Sequence, residues 1–458
     1  MNLPHNPAEA RYPIMKNAIT YFEPVHGSTQ SAFDAERYRQ SVELYDAQRY
    51  TEAFHTFLDS LNPKFRPEYG NAEGTEFHIP HGSIVVDIHL TDDRLRIHAD
   101  FMELPAKGSV AMLRQVAGLN TNQLLLPTFL LEGNRLTLDY TCPMQRTHPA
   151  KLYGVLRDIC YIGDQYDDEF AAKFGATRLY TPNVQPYSAE ETARLYDAIQ
   201  TICREALAAV KEYDANRQGA YSWNILETAV YQILYTAAPQ GQLLNELDKA
   251  VADLDRDLPL NELNQKGAEA LRKLAAMSRE ELARDLYHVD TLISTKRRSS
   301  LRNVQDNLRE VYGQAEQAIQ GGNFEAAAIR MLYKFYEMYY YCDVQDNING
   351  VVARALAKAS GQPWEEAAEA LYDAMDALME GNLEGDDDTD FDFSAAIGEA
   401  AREMQENLQA TVGDVQSLVQ EMQQKMAEAL ARGDMQEYMR LAAEMQQKIM
   451  QQALGGNQ

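Results

Sequence analysis

The run Ile84-Val85-Val86-Asp87-Ile88-His89-Leu90, followed four residues later by Leu95-Arg96-Ile97-His98-Ala99, decides the fold of the first third of this chain. In both runs aliphatic residues alternate with polar ones, the period of a strand with one buried face. A two-residue turn at Asp92-Asp93 sets Leu90 opposite Leu95 and Ile88 opposite Ile97 on an oily face. The same turn sets Asp87 opposite His98 and His89 opposite Arg96 on a wet one.

Working outward, the hairpin is followed by a helical stretch from about Ser109 to Gly118 and then by a second hairpin around Gly133-Asn134. That turn pairs Phe129 with Leu138 and Leu131 with Leu136 on the oily side, and Tyr140 extends the row. Helical spacing returns at Leu152, Leu156, Ile159, Cys160 and Tyr166 and ends near Gly175. Upstream, Tyr38, Val42, Tyr45, Tyr50, Ala53, Phe54, Phe57 and Leu61 recur at helical steps, broken near Gln48 and stopped at Pro63. Beyond Tyr180 the chain reads as helix to its end, with breaks at Gly and Pro, and no strand-like alternation recurs. The expected fold is therefore an α+β N-terminal domain, an antiparallel sheet packed by helices, followed by a mostly all-α region.

The predicted organisation is an irregular arm (1–34) able to dock on the body, a helical hairpin (35–70), the α+β domain (71–178), a helical domain (179–380), an acidic linker (381–393) and a C-terminal helical hairpin (394–458). In the last, Leu408, Val412, Val415, Val419, Met422, Met426 and Ala429 step by four and three, and Gly433-Asp434 turns the chain into a helix bearing Tyr438, Leu441, Met445 and Ile449. Such a Met-rich stripe suits adaptable contact with another helix.

A length of 458 residues implies more than one domain, and 45% hydrophobic with 24% charged residues is ordinary for a folded chain. The formal charge of -27 disfavours nucleic acid, which needs a basic footprint. The densest basic cluster, Lys296, Arg297, Arg298 and nearby Arg302, reads as a solvated helix end. Cys142, Cys160, Cys203 and Cys342 show no metal-ligand spacing and read as free thiols. Neither a secretory leader nor a membrane-length apolar stretch is visible, which makes the cytoplasm the expected location and excludes membrane insertion.

The searches for chemistry return little. There is no G-x-x-x-x-G-K-[ST] or G-x-G-x-x-G loop, no G-x-S-x-G elbow and no H-E-x-x-H helix. His78, His81, His89, His98 and Asp87 form the richest constellation, but Arg96 opposite His89 opposes a metal there, so a polar sheet face is the reading adopted. Asp386-Asp387-Asp388-Thr389-Asp390-Phe391-Asp392 has alternating carboxylates, yet Phe393 stands where a calcium loop needs Gly, which leaves an acidic linker. Tyr333, Tyr336, Tyr339, Tyr340 and Tyr341 at helical spacing read as core lining.

Two resemblances follow from these segments. Arg49-Tyr50-Thr51-Glu52-Ala53-Phe54, Gly322-Asn323-Phe324-Glu325-Ala326-Ala327 and Gly433-Asp434-Met435-Gln436-Glu437-Tyr438 each look like the inner part of a tetratricopeptide helix pair, scattered as isolated hairpins. The segments Leu95-Arg96-Ile97-His98-Ala99-Asp100-Phe101, Val116-Ala117-Gly118-Leu119-Asn120 with Leu124-Leu125-Leu126-Pro127, and Arg135-Leu136-Thr137-Leu138-Asp139-Tyr140 carry the other. From Thr75 to Gly175 the chain resembles the YbjN and type III secretion chaperone group, whose order is helix, strands, helix, hairpin, helix. The resemblance implies a bacterial, chaperone-like protein.

Together these readings predict a non-catalytic cytoplasmic adaptor, with no cofactor and no metal, that binds a protein partner or a second copy of itself. The protein-binding residues expected are His89, Arg96, His98, Met422, Met426 and Met445. The rival is a metal-dependent or hydrolytic enzyme using the histidine-bearing face.

Overall fold

Two amphipathic helices open the described part of the sheet domain. In this computed structural model, which describes residues 17–26, 33–182, 184–294 and 296–383, α1 (Ala35–Asp46) starts where the Asp34 carboxylate accepts from Arg37 N. The chain reverses at Gln48, whose φ of 60° lies in the left-handed region, into α2 (Tyr50–Leu61). Ala53, Phe54, Phe57, Leu58 and Leu61 form the buried face of α2, and Phe65 of the short α3 (Phe65–Tyr69) is buried after Pro63.

The sheet then forms from β1 (Glu76–His81), β2 (Ile84–Leu90), β3 (Arg94–Glu103), β4 (Thr128–Glu132) and β5 (Arg135–Pro143), in spatial order β1-β2-β3-β5-β4 and antiparallel throughout. Pro80 sits in an edge strand, where its missing N–H costs no ladder bond. The registers are those the alternation requires: Leu90 with Leu95, Ile88 with Ile97, His89 with Arg96, Phe129 with Leu138 and Leu131 with Leu136. A bulge between Asp100 and Met102 of β3 puts Phe101 and Met102, neighbours in sequence, both out of water.

Helix α4 (Ser109–Asn122) joins β3 to β4, and the long α5 (Pro149–Phe174) lies across β2, β3 and β5. Its close approach is set at Gly163, where a Cβ would come within 2.6 Å of Ile84 Cδ1. A two-residue β6 (Thr177–Arg178) adds to β3. The fold class expected from the sequence is the one observed: an antiparallel sheet with helices, then a mostly helical region. One side chain departs from the expected pattern. Leu131 is in the predicted register but is 45% exposed, next to the hairpin turn of an edge strand.

The helical region comprises α6 (Ala189–Ala215), α7 (Gly219–Ala237), α8 (Gly241–Leu254), α9 (Leu260–Ala276), α10 (Arg279–Ala283), α11 (Leu301–Gln320), α12 (Phe324–Tyr341), α13 (Asp346–Ala359) and α14 (Trp364–Glu380). Helices α7 and α12 pack together at its centre; α7 also meets α6, α8 and α9, while α12 meets α11 and α14. Centrality explains the composition of α7, which buries Ile225, Leu226, Val230, Tyr231 and Ile233 around its circumference. Residues 17–26 dock on this body: Ala18 N donates to Gln362 O, Thr20 Oγ1 to Glu205, and Val25 N to Thr236 O.

Two short pairings break the expected all-helix reading beyond Tyr180, β7 (Gln185–Pro186) with β8 (Tyr287–His288), and β9 (Arg297–Arg298) with β10 (Cys342–Asp343). Two residues are too few to show a period. The α1/α2 and α11/α12 pairs, which carry two of the tetratricopeptide-like stretches, are both helical hairpins and are separated by the whole sheet. The third stretch, the acidic linker beyond residue 383, and Met422, Met426 and Met445 lie outside the described residues.

Candidate functional site

Alternation along the strands gives the sheet a second, uncovered face, and the histidines singled out from the sequence stand on it. His78 Nδ1 meets Asp87 across β1 and β2, and His89 Nδ1 lies 3.7 Å from Glu76. Asp139 of β5 accepts from Arg96 Nη2 at 2.6 Å, His98 Nδ1 at 3.0 Å and Thr137 Oγ1 at 2.6 Å. Burial pushes the Asp139 carboxyl up, but the hydrogen bonds from His98, Thr137 and Arg96 outweigh it and hold it well below the usual range. The reciprocal bond to Asp139 raises the His98 imidazole against the opposing effect of burial.

The face is thus a mosaic of paired polar groups in which these three carboxylates each hold a ring or guanidinium from a neighbouring strand. Among the described residues no group of three or more His, Cys, Asp or Glu side chains is arranged to hold a metal ion. His89, Arg96 and His98 share this face at the centre of the sheet, as the register requires.

At the β4 edge the face becomes apolar. Leu130 lies on it with 41% exposure; Leu125, Leu126 and Leu131 around the same edge are 84%, 39% and 45% exposed. An edge strand offers unpaired backbone groups, and here one pair is already taken: Asn120 Oδ1 accepts from Phe129 N at 2.8 Å and Asn120 Nδ2 donates to Phe129 O at 3.3 Å. The amide of α4 imitates a neighbouring strand. The exposed leucine side chains and the rest of the strand edge are what this end of the sheet offers a partner.

A separate set of groups collects where the β1–β2 turn, α5 and the helical body meet. Gly82, at φ 56°, passes so close to α5 that a Cβ there would fall 2.0 Å from Asp164 Oδ1. Ser83 N donates to Asp164 and Ser83 Oγ to Asp167, each at 2.6 Å; Arg178 forks onto Asp167 and Asp168, and Tyr180 OH donates to Asp167. Gly82 N donates to Asp290 O, and Leu292 N to His81 Nδ1, which fixes that buried ring as a neutral acceptor with its pKa pushed down to about 4. Burial also pushes Asp164 and Asp285 up to about 6.

Between these elements lies a cleft of about 730 Å³. Its walls include Tyr161 and Asp164 of α5, Asp248 of α8, and Lys296, Tyr341 and Asp343. The sequence reading of Lys296 as solvated needs correction. Its stem is exposed, but its ammonium turns inward to donate to Tyr339 O at 2.7 Å, and burial lowers its pKa against the pull of Asp343 and Asp248. The tyrosine row divides in the same way: Tyr336 and Tyr339 are buried, whereas Tyr341 is 45% exposed at the cleft. The helical spacing of Asp164, Asp167 and Asp168 was the sequence signal for this seam, overlooked because their partners lie on distant segments. Compared with known proteins, the chain matches no protein-family model, and no curated protein matches it significantly.

Proposed function

We propose that this chain is a non-catalytic interaction protein, a chaperone-like adaptor that engages a protein partner through its α+β domain. The observation that carries the reading is the leucine-rich end of the sheet. Leu125, Leu126, Leu130 and Leu131 are exposed around one edge strand, Leu130 on the uncovered face and Leu131 on the opposite one, and part of that strand's backbone is already taken by Asn120. His89, Arg96 and His98, on the same face as Leu130 toward the middle of the sheet, supply polar groups beside the leucines, the anatomy of an interface with an apolar part and a polar surround. The resemblance of residues 75–175 to the YbjN and type III secretion chaperone group agrees with this role.

A bacterial cytoplasmic setting, and a second copy of the chain as an alternative occupant, belong to the same proposal. Among the described residues no helix is long and apolar enough to cross a membrane. The test is quantitative affinity capture from the native host with wild type, the double variant Leu130→Asp/Leu131→Asp, and Leu260→Asp, an exposed leucine of the helical body. The proposal expects specific partners to be lost with the β4 variant alone. Equal recovery from all three proteins would refute it, and loss of self-association alone would identify a second copy as the occupant.

A further inference from the structure

The cleft at the seam is open enough to admit a ligand and contains groups whose local pairing is incomplete. Its volume of about 730 Å³ lies in the range of small-ligand and peptide sites. Three carboxylates line it, Asp164, Asp248 and Asp343, against the two cations Lys296 and Arg297, so it is net negative when these groups are ionised. Among the described residues no Lys or Arg lies within ion-pair distance of Asp164 or Asp248; the former accepts from Ser83 N and the latter from Tyr340 OH at 3.0 Å.

The two helices that carry Asp164 and Asp248 are tied together across the cleft wall, where Gln165 O of α5 accepts from Asn245 Nδ2 of α8 at 2.9 Å. Tyr161 and Tyr341, exposed by 44% and 45%, add two aromatic rings to the lining. Lys296 has three donors and gives one to Tyr339 O, which leaves N–H groups for a carbonyl.

We propose that this cleft is a second binding site, which takes an extended peptide segment through an arginine side chain. The planar guanidinium donates to Asp164 and Asp248 and stacks against tyrosine, while Lys296 donates to a backbone carbonyl of the segment. Apolar flanking residues fit the walls supplied by Leu234, Leu244 and Ile293. The whole-chain charge of -27 favours a basic ligand on approach, and the cleft supplies the directional part of recognition. The site is distinct from the β4 edge, and neither surface needs the other.

The test uses the full chain and a fluorescein-labelled acetyl-Ala-Leu-Arg-Leu-Ala-amide peptide, read by anisotropy at physiological salt. A peptide with citrulline in place of arginine keeps the shape and loses the charge. Expected are saturable binding of the arginine peptide, about tenfold weaker binding of the citrulline peptide, and a similar loss in Asp248→Asn and Asp164→Asn. Glu36→Gln, an exposed acid on α1, serves as the control for long-range charge and should leave affinity within about twofold. If Asp164→Asn fails to fold, Asp248→Asn and Tyr341→Ala carry the decision. Absence of saturable binding, equal affinity for both peptides, or a loss in Glu36→Gln as large as in Asp248→Asn would overturn the proposal, whatever happens at the β4 edge.

Discussion

Glu227 is fully buried in the central helix α7, where it accepts from Tyr231 OH at 2.7 Å. Burial, with Asp255 and Glu337 adding to it, pushes its carboxyl up to about 8. A carboxyl whose folded pKa is raised favours the native state most below its unfolded value of about 4.5, and that advantage is lost as pH rises toward 8. Glu227→Gln should therefore flatten this part of the pH dependence and raise the melting temperature at pH 8 relative to wild type. Melting curves at pH 5 and pH 8 decide it, since an unchanged slope would place the proton elsewhere. At the seam, Gly82→Ala meets both a left-handed φ and the Asp164 carboxylate, and should destabilise by ~1–3 kcal/mol in denaturant titration. A neutral result would mean that the β1–β2 turn moves away from α5 without penalty.

At the scale of elements, the sheet was legible because its alternation, its two turns and its helical neighbours agree with one another. Ile88, Ile97, Phe129, Leu136 and Leu138 all face the core as their spacing required. Leu131 was not legible as an exposed side chain, because period-2 reasoning gives the face of a residue and not how much of it is covered. Two substitutions separate these cases in equilibrium unfolding. Leu138→Ala, beneath α5, should cost about 2–5 kcal/mol, and Leu131→Ala under about 1 kcal/mol. Similar costs would mean that the end of β4 is packed after all. Asn120→Ala removes the amide that occupies Phe129 N and O, so it should cost about 1 kcal/mol and increase self-association through the opened edge, as measured by sedimentation. Unchanged sedimentation would show that Asn120 does not guard the strand.

Across the whole molecule, the helical body was readable as helix but not as a packing arrangement, since spacing identifies an apolar face without its partner. The same limit hid the seam. His81, Gly82 and Ser83 are next to one another in sequence, yet their partners are Leu292, Asp290, Asp164 and Asp167, brought in by two distant segments, α5 and the stretch after β8. Lys296 was misread for that reason, because a basic cluster looks solvated until the chain that covers its ammonium is known. The histidine face shows the converse: the strands fixed which side chains share it, and register alone put His98 opposite Asp139.

The central claim is that the leucine-rich end of the sheet is where a protein partner docks. Benzoylphenylalanine placed at Leu130 and, as a control, at Leu260 of the helical body tests it by photo-crosslinking in the native host, because both positions are similarly exposed at 41% and 40%. A discrete crosslinked protein from position 130, absent from position 260, is the predicted result; no product from position 130 above the level seen at position 260 would contradict the account.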